Sequence, residues 1–577
     1  MIAPRLSSHL PKLARAVALA GAILALTAPP ALASSNQESI MMDDNELVYG
    51  SSEGVDKRIA EMKALGADTI RVSVFWRIVA PAPEAQERPS FGAAGAASPA
   101  GYPAARWERY DRIVSLARKH GIRVLFNITS PAPSWATGKP DDDTREDVFE
   151  PDAGDFKNFV AAVGTRYSGS YTDERPAPPP RGLFDPPAAP EEPTALIPRV
   201  DYWSVWNEPN FPSWLGPQRR LASSRGRSIG PAESSKIYRR LVGAAYAALE
   251  ETGHGSDLIL IGETAPRGFR RKEPAFAVRP LEFVRELYCL NTRLRPYQGD
   301  SAKARDCPQD NAARQRFVTQ HPALFRMSGW AHHPYYLDGP PGASDVERDN
   351  APLGDLQRLI STLDRAQRVW GQSRRPRIFI AEFGYQTDPP DPVIGVPWSQ
   401  QAAYLNEADY IAYRNPRVAS VAQFLLVDDG PRNEFAANDP RHFGTFQSGL
   451  ITTEGKKKKS YDSYQLSIHA DPPKPRKGAR LTVYGQHRAA ANGTQLTAEL
   501  QFQSGGRGPF KTVASQPVSN LRGFAIFQLA ATSRGSFRIA WRGAAGARTQ
   551  HTRPVKIAVS RSKKPAPAPA PALSPSR

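Results

Sequence analysis

Cysteine is scarce in this chain, since only two of its 577 residues, Cys289 and Cys307, are cysteines. Their spacing does not suggest a metal site. Acidic residues are also few, with 57 Asp and Glu against 75 Lys and Arg, which gives a formal net charge of +18. Such a charge can attract anionic polymers or nucleic acid. Because the arginines are scattered rather than clustered, we interpret the charge as a soluble basic surface and expect no nucleic-acid partner.

Apolar runs of membrane-spanning length are absent from the sequence. The N-terminus has basic residues (Arg5, Lys12 and Arg15), then a short apolar run over residues 16–26 and small residues at 31–33. This order is typical of a secretory signal peptide. We predict that residues 1–33 are a signal peptide and that the mature protein is secreted, without a membrane contact after signal removal. The alternative is a retained N-terminal anchor.

If the protein is exported, its two cysteines can form a disulfide, because disulfides persist in oxidising compartments. We predict a structural disulfide between Cys289 and Cys307, which in the chain-entropy model stabilises the fold by about 3 kcal/mol. The alternative is two unpaired thiols.

Residues 40–468 alternate short apolar runs with amphipathic helical patterns, which is typical of strand-then-helix units. Right-handed crossovers close eight such units into an α/β barrel, so we predict a (β/α)8 TIM barrel without a clear final helix. The predicted strands cover residues 46–49, 69–76, 122–128, 202–208, 258–261, 327–331, 377–382 and 421–427.

The pattern changes near residue 472. Short runs rich in Val, Phe and Ile, separated by Gly, Asn and Ser, predict a small all-β sandwich of Ig-like kind over residues 472–560. Two proline-rich segments lie outside these domains: residues 172–198 are predicted to be an irregular loop, and residues 561–577 a disordered or extended tail.

Two glutamates follow apolar runs of strand length. Glu208 stands before Pro209, which disfavours continuation of a sheet, and is predicted to end the fourth strand. Glu382 stands at the corresponding place in the seventh strand. Each glutamate alone could equally cap a loop or pair with an arginine. Two carboxylates at the C-terminal ends of barrel strands, however, are what cleavage of a glycosidic bond requires.

The runs Trp-Asn-Glu-Pro at 206–209 and Ala-Glu-Phe-Gly at 381–384 resemble the acid/base and nucleophile motifs of clan A glycoside hydrolases. The chain is most similar to the cellulase-like family 5, with family 39 a near alternative. The resemblance spans most of residues 40–468. It implies that Glu208 is the acid/base and Glu382 the nucleophile.

Further positions match the family pattern. Arg71 resembles an arginine near the nucleophile, and Asn207 resembles the residue that binds the sugar 2-hydroxyl. His333 and Tyr335 resemble a His-x-Tyr motif after the sixth strand, whose tyrosine contacts the nucleophile.

Other positions depart from the pattern or are less specific. Asn127 stands where family 5 commonly has a histidine, and Leu-Val-Asp at 426–428 replaces the tryptophan expected after the eighth strand. Trp135 lies near a strand end and could stack on a sugar ring, although core packing is as common. Glu263 ends the fifth strand, and no role is assigned to it.

The function indicated is that of a secreted retaining O-glycoside hydrolase acting on β-linked oligo- or polysaccharide, as a monomer and without cofactor or metal. Glu382 is expected to be ionised beside Arg71 and Tyr335, Glu208 to carry a proton, and the two carboxyl groups to lie about 5–5.5 Å apart. The alternatives are a non-catalytic carbohydrate-binding or cell-surface protein on the same barrel, and transglycosylation through the same intermediate.

Overall fold

The computed structural model describes residues 34, 36–140, 145–172, 196–221, 229–270, 276–490, 494–543 and 547–560. The predicted signal peptide, most of the proline-rich segment 172–198 and the predicted tail lie outside these ranges. Within them, none of the helices combines the length and the apolar character needed to cross a membrane.

A closed barrel of eight parallel strands forms the larger domain and confirms the predicted TIM barrel. Each strand pairs with its neighbours in chain order, and β8 pairs with β1 to close the ring. The strands are β1 (Glu38–Met42), β2 (Thr69–Phe75), β3 (Arg123–Thr129), β4 (Tyr202–Val205), β5 (Leu258–Thr264), β6 (Gly329–His332), β7 (Arg377–Ile380) and β8 (Val418–Phe424).

Eight helices follow the barrel strands in turn. They are α1 (Ser52–Leu65), α2 (Ala104–Lys119), α3 (Ala153–Arg166), α4 (Glu233–Glu251), α5 (Pro280–Leu287), α6 (Leu356–Val369), α7 (Trp398–Tyr413) and α8 (Lys459–Gln465). The last helix has only seven residues, which explains why the sequence gives no clear signal for it. The loops carry short α-helices at Asp44–Leu47, Trp76–Val79, Gly299–Lys303, Asn311–Gln320 and Pro322–Arg326.

The predicted first strand is wrong. Residues 46–47 end the short helix Asp44–Leu47 and residues 48–49 follow it, and the first strand is β1, which begins before the predicted domain boundary at residue 40. Asp43 explains the helix, because its side chain accepts a hydrogen bond from the backbone N–H of Glu46 and so caps the helix N-terminus.

The second domain consists of two sheets that pack around their own apolar core. One sheet has the order β9 (Leu466–Asp471), β10 (Arg480–His487), β13 (Phe524–Ala530). In the other, β12 (Lys511–Val518), β11 (Leu496–Ser504) and β14 (Gly535–Arg542) are neighbours, and β15 (Gln550–His551) and β16 (Val555–Ile557) both pair with β14. Core residues come from both sheets, among them Ile468 and Val483 from one and Leu500 and Ile539 from the other. A sandwich was therefore predicted correctly, but its first strand, β9, lies wholly before the predicted start of the sandwich at residue 472, and its first three residues fall in the range predicted for the barrel.

The predicted disulfide is present. Cys289 and Cys307 are joined and close a loop between residues 18 positions apart, after helix α5.

Candidate active site

Glu208 and Glu382 both lie just beyond the C-terminal ends of their barrel strands. Strand β4 ends at Val205, so Glu208 stands three residues past the strand. The prediction that Glu208 is the last residue of the strand is therefore wrong by three positions. Strand β7 ends at Ile380, two residues before Glu382. Their side chains are 16% and 10% exposed, so each is partly enclosed and still reaches the surface.

The two carboxylates meet at one place. One oxygen of Glu208, one oxygen of Glu382 and one ring nitrogen of His333 all lie within 4.8 Å of one another. The convergence predicted from the two strand-end motifs is therefore present in the structure.

Arg71 lies on β2 and is fully buried beneath this pair. Its guanidinium contacts Glu382 Oε1 at 3.1 Å and Glu263 Oε2 at 3.2 Å, and it donates a hydrogen bond to Asn207 Oδ1 at 2.8 Å. The arginine thus stands beside the predicted nucleophile, as the resemblance implies. It also fixes the side chain of Asn207.

The segment after β6 supplies two further contacts to the carboxylates. The Tyr335 hydroxyl donates a hydrogen bond to Glu382 Oε2 at 3.2 Å. His333 Nδ1 lies 3.0 Å from Glu208 Oε1 and 3.5 Å from Glu382 Oε2. His333 is fully buried, so these carboxylates and not solvent surround its Nδ1.

Asn127 and Trp135 support the loops around the site. Asn127 on β3 is buried and donates a hydrogen bond to the Trp206 carbonyl oxygen at 2.6 Å, two residues before Glu208. Trp135 packs edge-on against Trp76, and its indole N–H donates to the Pro81 carbonyl oxygen. With 8% of its surface exposed, Trp135 offers little ring face to a sugar, and its role in substrate binding stays a prediction.

Glu263 belongs to the same cluster, although no role was predicted for it. It lies within β5, is fully buried, and its Oε2 is 2.5 Å from His333 Nε2. Its other oxygen accepts a hydrogen bond from the Ser204 hydroxyl on β4. The signal in the sequence is Gly262, because a glycine inside a strand pattern is typical of a β-bulge that redirects a side chain.

Opposing charges set the protonation of these groups. Burial raises the pKa of Glu263, but Arg71, His333 and Ser204 outweigh it and hold that pKa near 2. Burial lowers the pKa of His333, but the charges of Glu382, Glu208 and Glu263 outweigh it and raise that pKa to about 10.

Glu382 differs from the expectation. Arg71 and His333 favour its ionised form, as predicted for a nucleophile, but burial and the neighbouring carboxylates outweigh them and raise its pKa above the ordinary value. The pKa of Tyr335 is also well above its usual range, because of burial and the charge of Glu382, so its hydroxyl keeps its proton and acts as a donor.

The expected tryptophan after β8 is absent, and two phenylalanines lie near the end of this strand and in the loop that follows it. Phe424, the last residue of β8, packs edge-on against Tyr335 with ring centroids 6.1 Å apart. Phe446 packs edge-on against Phe424 at 5.0 Å and is 50% exposed. An apolar surface therefore extends outward from the tyrosine that contacts Glu382.

The donor atoms that could bind a metal ion in this cluster already contact other side chains. Among the described residues, Glu208, His333 and Glu382 form the group whose donor atoms are close enough for a metal. Both ring nitrogens of His333 already face carboxylates, and Arg71 already contacts Glu382. We therefore do not identify the group as a metal site, and the expected absence of a cofactor stays a prediction.

No family model and no curated protein matches the chain. Solved structures with a similar chain path include the endo-β-1,4-mannanase from Thermotoga petrophila, 11% identical over 91% of this chain and 98% of that chain, with a TM-score of 0.38. GH5_18 from Streptomyces cattleya in complex with GlcNAc is 13% identical over 75% and 79%, with a TM-score of 0.41. Aphid myrosinase is 14% identical over 74% and 97%, with a TM-score of 0.42. Similarity at these identities and TM-scores does not show which activity the chain has.

Proposed function

We propose that the protein is a retaining O-glycoside hydrolase of clan A that acts on β-linked glycans. The observation that carries the proposal is that one carboxylate oxygen of Glu208 lies within 4.8 Å of one carboxylate oxygen of Glu382 at the C-terminal mouth of the barrel. In retaining enzymes the two carboxyl groups are about 5–5.5 Å apart, whereas inversion needs about 6.5–9.5 Å to admit a water molecule. The close approach of the two glutamates supports retention.

In the proposed reaction Glu382 attacks the anomeric carbon, while Glu208 protonates the departing glycosidic oxygen. A covalent glycosyl–enzyme bond to Glu382 forms as the glycosidic bond breaks. Glu208, now without its proton, then takes a proton from water, whose oxygen displaces Glu382 from the sugar. Arg71 and Tyr335 contact opposite oxygens of Glu382 and fix the carboxylate for attack.

The test is turnover by the purified protein and by a nucleophile variant. We expect the wild-type chain to hydrolyse members of a panel of 4-nitrophenyl β-glycosides and β-linked oligosaccharides, and NMR of the first product to show the β-anomer. Glu382→Gln should reduce turnover by at least roughly a thousandfold, because the covalent route is lost.

Glu286→Gln is the matched control for this experiment. Glu286 is also a buried glutamate in an ion pair, with Arg305 at 2.7 Å, but it lies on helix α5 away from the carboxylate cluster. Equal turnover by wild type and Glu382→Gln would contradict the proposal. Binding of the same sugars without any turnover would favour the non-catalytic carbohydrate-binding alternative.

We also propose that the protein is exported through residues 1–33. The predicted signal pattern and the disulfide between Cys289 and Cys307 support this location, because structural disulfides are typical of oxidising compartments. N-terminal sequencing of protein recovered from the culture medium tests it: a first residue close to position 34 is expected, and an intact N-terminus held in the membrane fraction would contradict it.

A further inference from the structure

We propose that Glu263 is a positioning residue, which holds His333 as a doubly protonated bridge between Glu208 and Glu382. The inference rests on the proposed hydrolase function. Glu263 is fully buried and therefore cannot touch a substrate, so its role would be to position other residues.

The backbone around Glu263 is shaped to direct its side chain into the cluster. The pairing of β5 with β6 shifts register between Ile261 and Thr264, which marks a bulge at positions 262–263. Glu263 has a φ of +43°, a left-handed conformation that is costly for a residue with a side chain. Gly262 has a φ of +106°, and a Cβ there would approach the Trp330 ring to 2.5 Å. The bulge is therefore specified by the local sequence.

The bulge is also held in place by hydrogen bonds. The Gly262 N–H donates to the Tyr238 hydroxyl, which itself donates to the Val205 carbonyl oxygen at the end of β4. The Glu208 N–H donates to the Glu263 carbonyl oxygen at 2.9 Å. The backbone of the proposed acid/base is thus tied directly to the strained residue.

Proton positions follow from the chemistry of the partners. An ionised Glu263 only accepts hydrogen bonds, so His333 Nε2 must carry a proton and donate to it. On the other side of the ring, Nδ1 faces oxygens of Glu208 and Glu382. A proton on Nδ1 lets the ring donate to Glu208 Oε1, which leaves Oε2 as the oxygen that carries the acid proton towards substrate.

The charged and titratable groups that face His333 mostly favour this form. Three carboxylates surround a single ring, and the adjacent His332 is neutral because burial lowers its pKa to about 4. Arg71 and burial act in the opposite direction. The groups are Arg71 from β2, Glu208 from the loop after β4, Glu263 from β5, Glu382 from the loop after β7, and His332 and Tyr335 from the chain around β6.

The first test uses the wild-type chain and needs no turnover. In protein labelled with 15N histidine, NMR should show an imidazole that stays doubly protonated from pH 6 to pH 8.5 and whose signal is absent from His333→Gln. A neutral His333 at pH 7.5, with Nδ1 accepting a proton from Glu208, would overturn the inference.

The second test compares Glu263→Gln with Glu286→Gln. Without the charge of Glu263, we expect the titration of His333 to move towards neutral pH, and the alkaline limb of kcat/KM to fall by about one pH unit. We expect kcat to fall by about tenfold or more while KM changes little, because Glu263 does not contact substrate. Glu286→Gln should leave the pH profile unchanged.

The outcomes separate the inference from the proposed function. An unshifted pH profile in folded, active Glu263→Gln would overturn the inference and leave the hydrolase assignment standing. If Glu263→Gln does not fold, the wild-type NMR titration decides. Absence of turnover by wild type on the whole glycoside panel would overturn the proposed function, and with it a catalytic purpose for the bridge.

Discussion

The hydroxyl of Tyr335 donates a hydrogen bond to Glu382, which Arg71 and His333 also contact. A hydrogen bond to a charged group is worth about 1.5–3 kcal/mol, so we expect Tyr335→Phe to lower kcat/KM by roughly ten- to a hundredfold. The phenyl ring keeps the packing against Phe424 and Phe383, which makes the hydroxyl the main change. Steady-state kinetics with an aryl β-glycoside measures the effect.

The matched control is Tyr385→Phe. Tyr385 follows β7, and its hydroxyl donates to the Gly339 carbonyl oxygen rather than to a carboxylate of the site. A loss of activity in Tyr385→Phe as large as in Tyr335→Phe would contradict a specific role for the Tyr335 hydroxyl.

Individual site residues were predictable where they belong to a short sequence motif. Glu208, Glu382 and Tyr335 lie just past strand ends and Arg71 lies within β2, and the structure brings all four together. Glu263 was missed because its contribution depends on a bulge that Gly262 only suggests, and the pairing of β5 with β6 is needed to show where the bulge directs the side chain. The direction of the Glu382 pKa was also missed, since burial of a site cannot be read from the residues that line it.

Elements were predictable where they are long and periodic. The seven strands from β2 to β8 fall close to the predicted positions, and the helices α1 to α7 follow strands as the alternating pattern predicts, whereas the short α8 was not predicted. The prediction of the first strand failed because the apolar residues 47–49 resemble a strand, while the hydrogen bond from the Glu46 N–H to Asp43 caps a short helix there. The same Asp43 side chain accepts from the N–H groups of Leu426 and Val427, so it also joins β1 to the loop after β8.

The loop after β8 presents Phe446 in a fixed position. Its N–H donates to Asp429 Oδ2 at 3.2 Å, and its carbonyl oxygen accepts from the Asp429 N–H at 2.8 Å. A half-exposed ring that is held beside Phe424 can stack on the apolar face of a sugar. We expect Phe446→Ala to raise KM by about three- to tenfold with little change in kcat, since stacking contributes about 0.5–1.5 kcal/mol.

Two variants give this prediction its controls. Phe446→Trp keeps an aromatic surface and should retain KM near the wild-type value. Leu521→Ala removes another exposed apolar side chain, 54% exposed, from the sandwich domain and should leave the kinetics unchanged. An unchanged KM in Phe446→Ala would exclude Phe446 from the substrate surface.

At the scale of the whole molecule, the sandwich is attached to the barrel by buried contacts. Arg488, which follows β10, bonds to Ser39 on β1, to the Tyr464 carbonyl oxygen on α8 and to Asp409 on α7. Gly66 marks how closely the domains approach, because a Cβ at that position would lie 2.2 Å from the backbone carbonyl carbon of Arg488. The sequence could not reveal this interface, since its members are separated by up to 449 positions along the chain.

This interface predicts that the two domains share stability. The side chains of Arg488 and Asp409 are 4% and 7% exposed, so Arg488→Met would leave a buried carboxylate without its cation. Removal of one partner from a buried ion pair costs about 3–5 kcal/mol, and we expect that loss in the free energy of unfolding measured in urea. Arg542→Met is the control, because Arg542 pairs with Glu499 at an exposed site where such pairs contribute about 0–1 kcal/mol.

The double variant Arg488→Met/Asp409→Leu separates the charge from the packing. Replacing both partners with apolar residues removes the uncompensated carboxylate, so this variant should regain much of the stability that Arg488→Met loses. Because Arg488 also contacts β1, which closes the barrel with β8, we expect the single variant to lower the unfolding midpoint of the barrel as well as that of the sandwich. Two separate transitions, with only the sandwich affected, would mean that the barrel is stable without its partner domain.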